Sequence, residues 1–195
     1  MQCRMSASLH QPMTVAAFLA WEERQEFRWE FDGSQPVAMT GGTAAHETIV
    51  GNIYFSLRSR LAGDRSRAFG ANLKIEVAGR IRYPDGFVVG TPVPPRSTVV
   101  RDPVVVFEVL SDSTSRTDRI EKLRDYGATP YIQRYVILEQ SAIAAMVFVR
   151  KGTDLVAETL TTADTLHMPE INVSVPMAEF YTGLLFEHEA EAQSG

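Results

Sequence analysis

Hydrophobic positions change period several times along this chain, and each change marks an element. Over residues 14–24, Val15, Phe18, Leu19 and the polar Glu22 recur at helical spacing behind Thr14, a residue suited to an N-cap. The pattern then alternates. Trp29 and Phe31 are flanked by Arg28 and Glu30, which predicts a half-buried strand. Asp32-Gly33 is a hairpin signal, and a second strand follows through Val37 and Met39. A helical period returns over 43–61, where Val50, Ile53, Leu57 and Leu61 form one stripe with Ile49 beside it. His46 falls at the N-terminal end of that stripe, and Gly63-Asp64 ends it.

Residues 68–77 and 81–89 read as two adjacent strands joined through Ala78-Gly79-Arg80, and the proline-rich segment 91–97 as a loop. Residues 104–110 form an apolar run interrupted only by Glu108, the mark of a central strand buried on both faces. A charged helix follows over 115–127, with Ser115 and Asp118 as a capping box and Gly127 as the stop. Further strands are predicted at 135–138, 143–149 and 154–160, and a terminal helix within 175–186 after Pro176. No internal repeat or linker interrupts this order. It predicts one α/β domain over 1–195, a mixed central β-sheet flanked by helices, with 1–12 and 187–195 as flexible ends.

Composition narrows the classes. The 195 residues are 45% apolar and 22% charged, enough for a sizeable core and ordinary for a globular protein. No apolar run reaches the length of a membrane span, and the first residues lack the apolar stretch of a signal peptide, so a cytoplasmic location is expected. The one cysteine, Cys3, has no partner for an internal disulfide and no neighbours at zinc-ligand spacing. A net charge of −5 argues against a general electrostatic coat for nucleic acid. It is compatible with a nuclease, whose site needs carboxylates and whose divalent ions restore positive charge locally. Arg80, Arg82, Arg96, Arg101, Arg116, Arg119 and Arg124 lie near the central strands and could pair phosphate oxygens, or simply form a solvated face.

Glu108 is the most informative residue, because a carboxylate inside an apolar strand is costly to bury unless it meets a cavity, a metal or a cation. The bland alternative is a buried ion pair with an arginine. Asp85 follows Pro84 between two strand-like stretches, and Asp85-Gly86 could equally be a plain turn. Lys122 shares a helix face with Asp118 and Asp125, opposite Ile120, Leu123 and Tyr126. It could be a surface partner of Asp118, or it could reach back to the strand ends and hold a phosphate or an attacking water. Glu30 sits on the polar side of its strand, where a surface position is the default. His46 on an apolar stripe is the usual picture of a core histidine.

In the order Glu30, Asp85, Glu108, Lys122 these residues resemble the PD-(D/E)XK nuclease superfamily, with its restriction-endonuclease-like fold. More narrowly, the chain is similar to the restriction endonuclease family of the Uma-two type. The similarity lies in W-E-F-D-G, H-E-T-I-V-G-N, Y-P-D-G-F-V-V, F-E-V-L-S-D-S-T-S-R-T-D-R-I-E-K-L-R-D-Y-G and Y-I-Q-R-Y-V-I-L-E, and covers residues 13–186. The resemblance implies a DNA endonuclease using Mg²⁺, with Mn²⁺ as a substitute. It implies Asp85 and Glu108 as ligands, the Val109 carbonyl as a third, Lys122 as the catalytic lysine and Glu30 as an accessory acid. His46 would support the site or contact phosphate, and a homodimer would address both strands. The superfamily's lysine stands two residues after the acid, where Leu110 lies here, so Lys122 must serve from the following helix. A second departure is Ile132-Gln133-Arg134-Tyr135, where the family tends to carry an acid and an aromatic pair. The rival readings are a non-catalytic nucleic-acid- or protein-binding module that keeps the nuclease fold, and a metal-dependent hydrolase of a small phosphoester.

Overall fold

The computed structural model describes residues 13–39, 41–110 and 116–186. Helix α1 (Val15–Glu22) starts where Thr14 Oγ1 accepts the Ala17 N–H at 3.1 Å. Strands β1 (Trp29–Phe31) and β2 (Pro36–Ala38) form a hairpin in which Asp32 Oδ1 accepts from the N–H groups of Ser34 and Gln35. The loop is residues 32–35, with Gly33 at φ +96°, so the Asp-Gly signal marks the turn but not its full length. Helix α2 (Ala44–Arg60) is capped by Thr43 and presses Ile49, Ile53 and Leu57 into the core. Burying each such side chain contributes about 1.5–3 kcal/mol.

The two long strands predicted over 68–89 are four short ones: β3 (Arg67–Gly70), β4 (Lys74–Val77), β5 (Arg80–Arg82) and β6 (Gly86–Val89). The ribbon does pair with itself, β3 with β6 and β4 with β5, but it breaks halfway along. On one side the chain turns at 71–73, closed by the Leu73 N–H donating to the Gly70 carbonyl at 3.2 Å. On the other, Pro84 has no N–H to donate. The halves therefore enter different sheets, and Asp85 sits at the break.

Next come β7 (Val99–Val100), β8 (Pro103–Val109), α3 (Arg116–Gly127), β9 (Arg134–Leu138), β10 (Ala144–Lys151) and β11 (Asp154–Thr161). The Ser115 half of the expected capping box, and the ends 1–12 and 187–195, lie outside the described residues. The expected helix within 175–186 is instead the end of a hairpin, β12 (Thr165–Met168) with β13 (Val173–Pro176), followed by a 3₁₀ turn at Met177–Tyr181. Val173 and Val175 are buried while Ser174 and Pro176 are not. That is a strand period, too short to register before a proline.

Among the described residues the strands form a mixed sheet in the order β11-β10-β9-β8-β6-β3, a second sheet β2-β1-β5-β4-β7, and the β12-β13 pair. Strand β8 is central, parallel to β9 and antiparallel to β6, as its apolar run requires. Its alternate side chains enter two cores. Val105, Phe107 and Val109 pack with α2 and the β12-β13 hairpin, while Val106 packs with Tyr126, Tyr135 and Phe87. Glu108 shares the latter face.

Candidate active site

The break in the ribbon creates the site. Gly86 opens β6 opposite Phe107, and a Cβ there would lie 3.3 Å from Ile53 Cγ2, so α2 packs closely on the strand's first residue. His46 lies two turns before Ile53 on the same face of α2. Its Nε2 is 3.3 Å from Asp85 Oδ2. The same Asp85 oxygen accepts the Val109 N–H at 2.7 Å, beyond the last β6–β8 pair. Asp85 is thus neither a free turn residue nor an in-register strand residue. It is a carboxylate held across the sheet end by a backbone amide and an imidazole.

Glu108 is 8% exposed, and both its oxygens are engaged from α3. Lys122 Nζ lies 3.0 Å from Oε2, and the Tyr126 hydroxyl donates to Oε1 at 2.9 Å. The alternative pairing with Asp118 is also present, at 3.7 Å, but Lys122 is turned inward onto Glu108. No arginine satisfies Glu108 among the described residues. Tyr126 is the residue that sequence reasoning missed. Assigned to the apolar side of the helix, it stands one turn after Lys122, and this i,i+4 spacing lets two donors clasp one carboxylate. Ile120, placed on the same apolar side, is 56% exposed.

Glu30 is buried, against the surface position its alternation predicted. Its Oε1 accepts the Tyr83 N–H at 2.9 Å and its Oε2 pairs with Arg82 Nη1 at 3.0 Å. Arg82 is itself buried and also binds Asp125 Oδ2 at 2.8 Å, so one guanidinium ties β1, β5 and α3 together. Strand alternation missed this because Arg82 and Tyr83, from β5 and the residue after it, close over the "polar" side of β1. The Tyr83 hydroxyl donates to Glu22 Oε1 at 2.6 Å, and Glu22 also pairs with Lys74. The residues before Pro84 are therefore fixed at both backbone and side chain.

The electrostatics follow from this crowding. Burial pushes the Glu108 carboxyl up; Lys122 opposes that shift, Asp85 and Glu30 reinforce it, and the result is about 7. For Lys122, burial works against the charged form, but the Glu108, Glu30 and Asp118 carboxylates outweigh it and hold the ammonium charged. His46 is raised above its ordinary value chiefly by its hydrogen bond to Asp85. Its Nδ1 is buried without a hydrogen-bond partner among the described residues, 3.5 Å from Glu47 Oε1.

Restriction-endonuclease-like folds generally use a divalent cation, and the donor set here fits one. Among the described residues no three His, Cys, Asp or Glu side chains form a ready-made cage. Mg²⁺ does not need one, since it is usually held by one or two carboxylates and keeps several waters. Asp85 and Glu108 are hard oxygen donors, and the charge of Asp85 disfavours a charged Glu108. A cation relieves that strain.

A mixed sheet flanked by helices, with one acid just before β6, another within its neighbour β8 and a lysine on the next helix, has the form of a restriction-endonuclease-like α/β fold. The chain superposes on a protein from Anabaena variabilis described as "a putative nuclease belonging to DUF820", with a TM-score of 0.75 over 89% of this chain and 100% of the other. At 16% identity that likeness is one of fold. The chain belongs to the Uma2 family, described as "Putative restriction endonuclease", which it matches over residues 15–178. It is 30% identical over 173 residues to the uncharacterized protein slr1290 of Synechocystis sp., covering 87% of this chain and 91% of the relative. It is 25% identical over 135 residues to sll1609 of the same organism, also uncharacterized, covering 66% and 75%. Among the described residues no helix is long and apolar enough to cross a membrane.

Proposed function

We propose that this chain is a single nuclease domain that hydrolyses phosphodiester bonds in DNA with Mg²⁺, or Mn²⁺ in its place. The observation that carries the reading is the clasp of Lys122 on Glu108, at 3.0 Å, beside an Asp85 carboxylate anchored to Val109 on the same strand. Asp85, Glu108 and the Val109 carbonyl would hold the ion, which when bound neutralises phosphate charge and makes a water more acidic. Lys122, kept charged by its carboxylate neighbours, orients the attacking water or steadies the charge that develops on the phosphorus oxygens. Tyr126 fixes the Glu108 carboxylate, and His46 fixes that of Asp85 or contacts the phosphate. Glu30 works as the accessory acid by locking the Tyr83-Pro84-Asp85 bend. One such centre cuts one strand, so a homodimer suits duplex cleavage. A cytoplasmic enzyme suits a chain with one cysteine.

The test is nicking of supercoiled plasmid with Mg²⁺ or Mn²⁺ by wild type, Asp85→Asn and Lys122→Met. Cutting by wild type alone is expected. No cutting with either ion, together with no heat of metal binding, refutes the proposal, and cutting that survives both substitutions is a contaminant's. DNA binding without cutting in all three proteins turns the reading to a non-catalytic module.

A further inference from the structure

The second half of α2 carries side chains that neither the core nor the Glu108 centre uses. Phe55 is 71% exposed and Tyr54 is 43% exposed, unusual for rings on a helix whose other face fills the core. Arg58, one turn on, places its guanidinium 5.7 Å above the Tyr54 ring. Arg58 also lines a cavity of about 260 Å³ with Arg67. Arg67 and Gly63 are shared with a second cavity of about 520 Å³, which Arg65 also lines. Tyr54, the three arginines and the two cavities thus form one continuous surface around the first residue of β3, the free edge of the mixed sheet, and Phe55 lies on α2 three residues before Arg58, at neighbouring helical spacing.

Its charge is unbalanced. Among the described residues Arg58 and Arg65 have no carboxylate partner, while Arg60, on another face of α2, is committed to Glu179 at 2.7 Å. Among the described residues Arg67 donates only to backbone carbonyls, those of Asp64 and Ser66. Asp64 is the one acid among the described residues that line either cavity, and its carboxylate already accepts the Ser66 N–H at 3.1 Å. In a chain of net charge −5 this is a local cationic track beside open aromatic faces.

We propose that this surface is a binding site for single-stranded nucleic acid, separate from the Glu108 centre. Arg58, Arg65 and Arg67 take successive phosphates, and Phe55 and Tyr54 stack an unpaired base. Stacking on exposed rings beside a basic groove suits single strands, whose base faces are open, and not a duplex, whose faces are covered. The inference rests on the nuclease reading only for its purpose, which is to hold a frayed or displaced strand away from the cut.

The experiment is fluorescence anisotropy of a labelled oligothymidylate in EDTA, which removes any contribution of metal or cleavage. Wild type, Phe55→Ala and Arg58→Gln/Arg65→Gln are compared over a salt series, with melting curves to confirm folding. Both variant sets change exposed side chains. Wild type should bind the single strand more tightly than a duplex of equal length. The double arginine variant should lower the slope of log K against log salt by about 1.4, the value for two lost phosphate contacts on a single strand. Phe55→Ala should weaken binding roughly tenfold, in the range of one lost stack, with the slope unchanged. Absence of wild-type binding, or equal binding by all proteins, overturns the proposal. So does equal affinity for duplex and single strand with Phe55→Ala neutral. A change in oligomeric state without a change in anisotropy also overturns it, because the patch is then a contact between copies. Binding that follows these expectations in a protein that never cuts plasmid supports this site while refuting the nuclease reading.

Discussion

Lys122 Nζ on α3 lies 3.0 Å from Glu108 Oε2 near the end of the central strand β8, so a helix cation and a strand anion close on each other at the sheet end. Removing either charge is not symmetrical. Lys122→Met leaves Glu108 without its main counter-charge, and Glu108, already raised to about 7, takes up a proton more readily. The variant should therefore lose less than the roughly 3–5 kcal/mol usual for orphaning a buried charge. The loss should be larger at pH 8 than at pH 6, read by denaturant melts, while plasmid nicking disappears at both.

Asp85 acts on Glu108 in the opposite sense, since its charge raises the Glu108 carboxyl. Asp85→Asn keeps an oxygen for the Val109 N–H but removes the charge. Carbon-13 spectra of labelled glutamate should show Glu108 titrating below its wild-type value. Calorimetry should show Mn²⁺ binding weakened at least tenfold although that carboxylate is now easier to ionise.

The fold class was legible because periodicity was long and clean where it mattered. The α2 stripe and the apolar run of β8 could be read directly, and a lone Glu108 in that run demanded a partner. What could not be read was set by contacts distant in sequence. Glu30 looked exposed because nothing local reveals that Arg82 and Tyr83 arrive from another strand. The break at Pro84 looked like a plain turn, and only the hydrogen bond from the Val109 N–H shows that Asp85 is held across the end of the sheet. Tyr126 was hidden by its own chemistry, because an aromatic ring on an apolar face reads as core even when its hydroxyl holds a buried carboxylate.

The pH dependence has a definite sign. The Glu108 carboxyl is raised from 4.5 to about 7, so without metal the folded chain holds a proton that the unfolded chain has lost. This contributes stability that is full below about 4.5 and disappears as pH rises through about 7. His46, raised by Asp85, acts in the same direction at the upper end of that window. In EDTA the melting temperature should fall from pH 5 to pH 8. Mg²⁺ binding should strengthen about tenfold per pH unit up to about 7, because the ion displaces the Glu108 proton, and saturating Mg²⁺ should reverse the fall. A melting temperature in EDTA that rises over this interval contradicts the assignment.

Gly42 bears on His46 from the chain segment before α2. A Cβ at Gly42 would sit 2.7 Å from His46 Nδ1, closer than atoms tolerate, so the imidazole must move. Gly42→Ala should displace His46 from Asp85 while leaving the α2 core contacts intact. Misplacement of about 1 Å in such a site costs on the order of 100-fold in rate. Nicking by Gly42→Ala should drop by that order with little change in melting temperature, and His46→Gln should show a similar loss.

Glu30 separates two kinds of accessory acid. If it reached the ion, Glu30→Gln would abolish cutting as Asp85→Asn does. Here its oxygens are spent on the Tyr83 N–H and on Arg82, so its contribution runs through the bend before Asp85. Glutamine keeps an oxygen for the Tyr83 N–H but weakens the charge balance around Arg82, which also holds Asp125. Glu30→Gln should therefore retain activity within about tenfold while losing stability, on the order of 1.5–3 kcal/mol for a hydrogen bond to a charged group. Glu30→Ala, which frees the Tyr83 amide as well, should lose both. Equal loss of cutting in the two variants at wild-type metal affinity would show that the charge of Glu30, not its hold on Tyr83, is what the site uses.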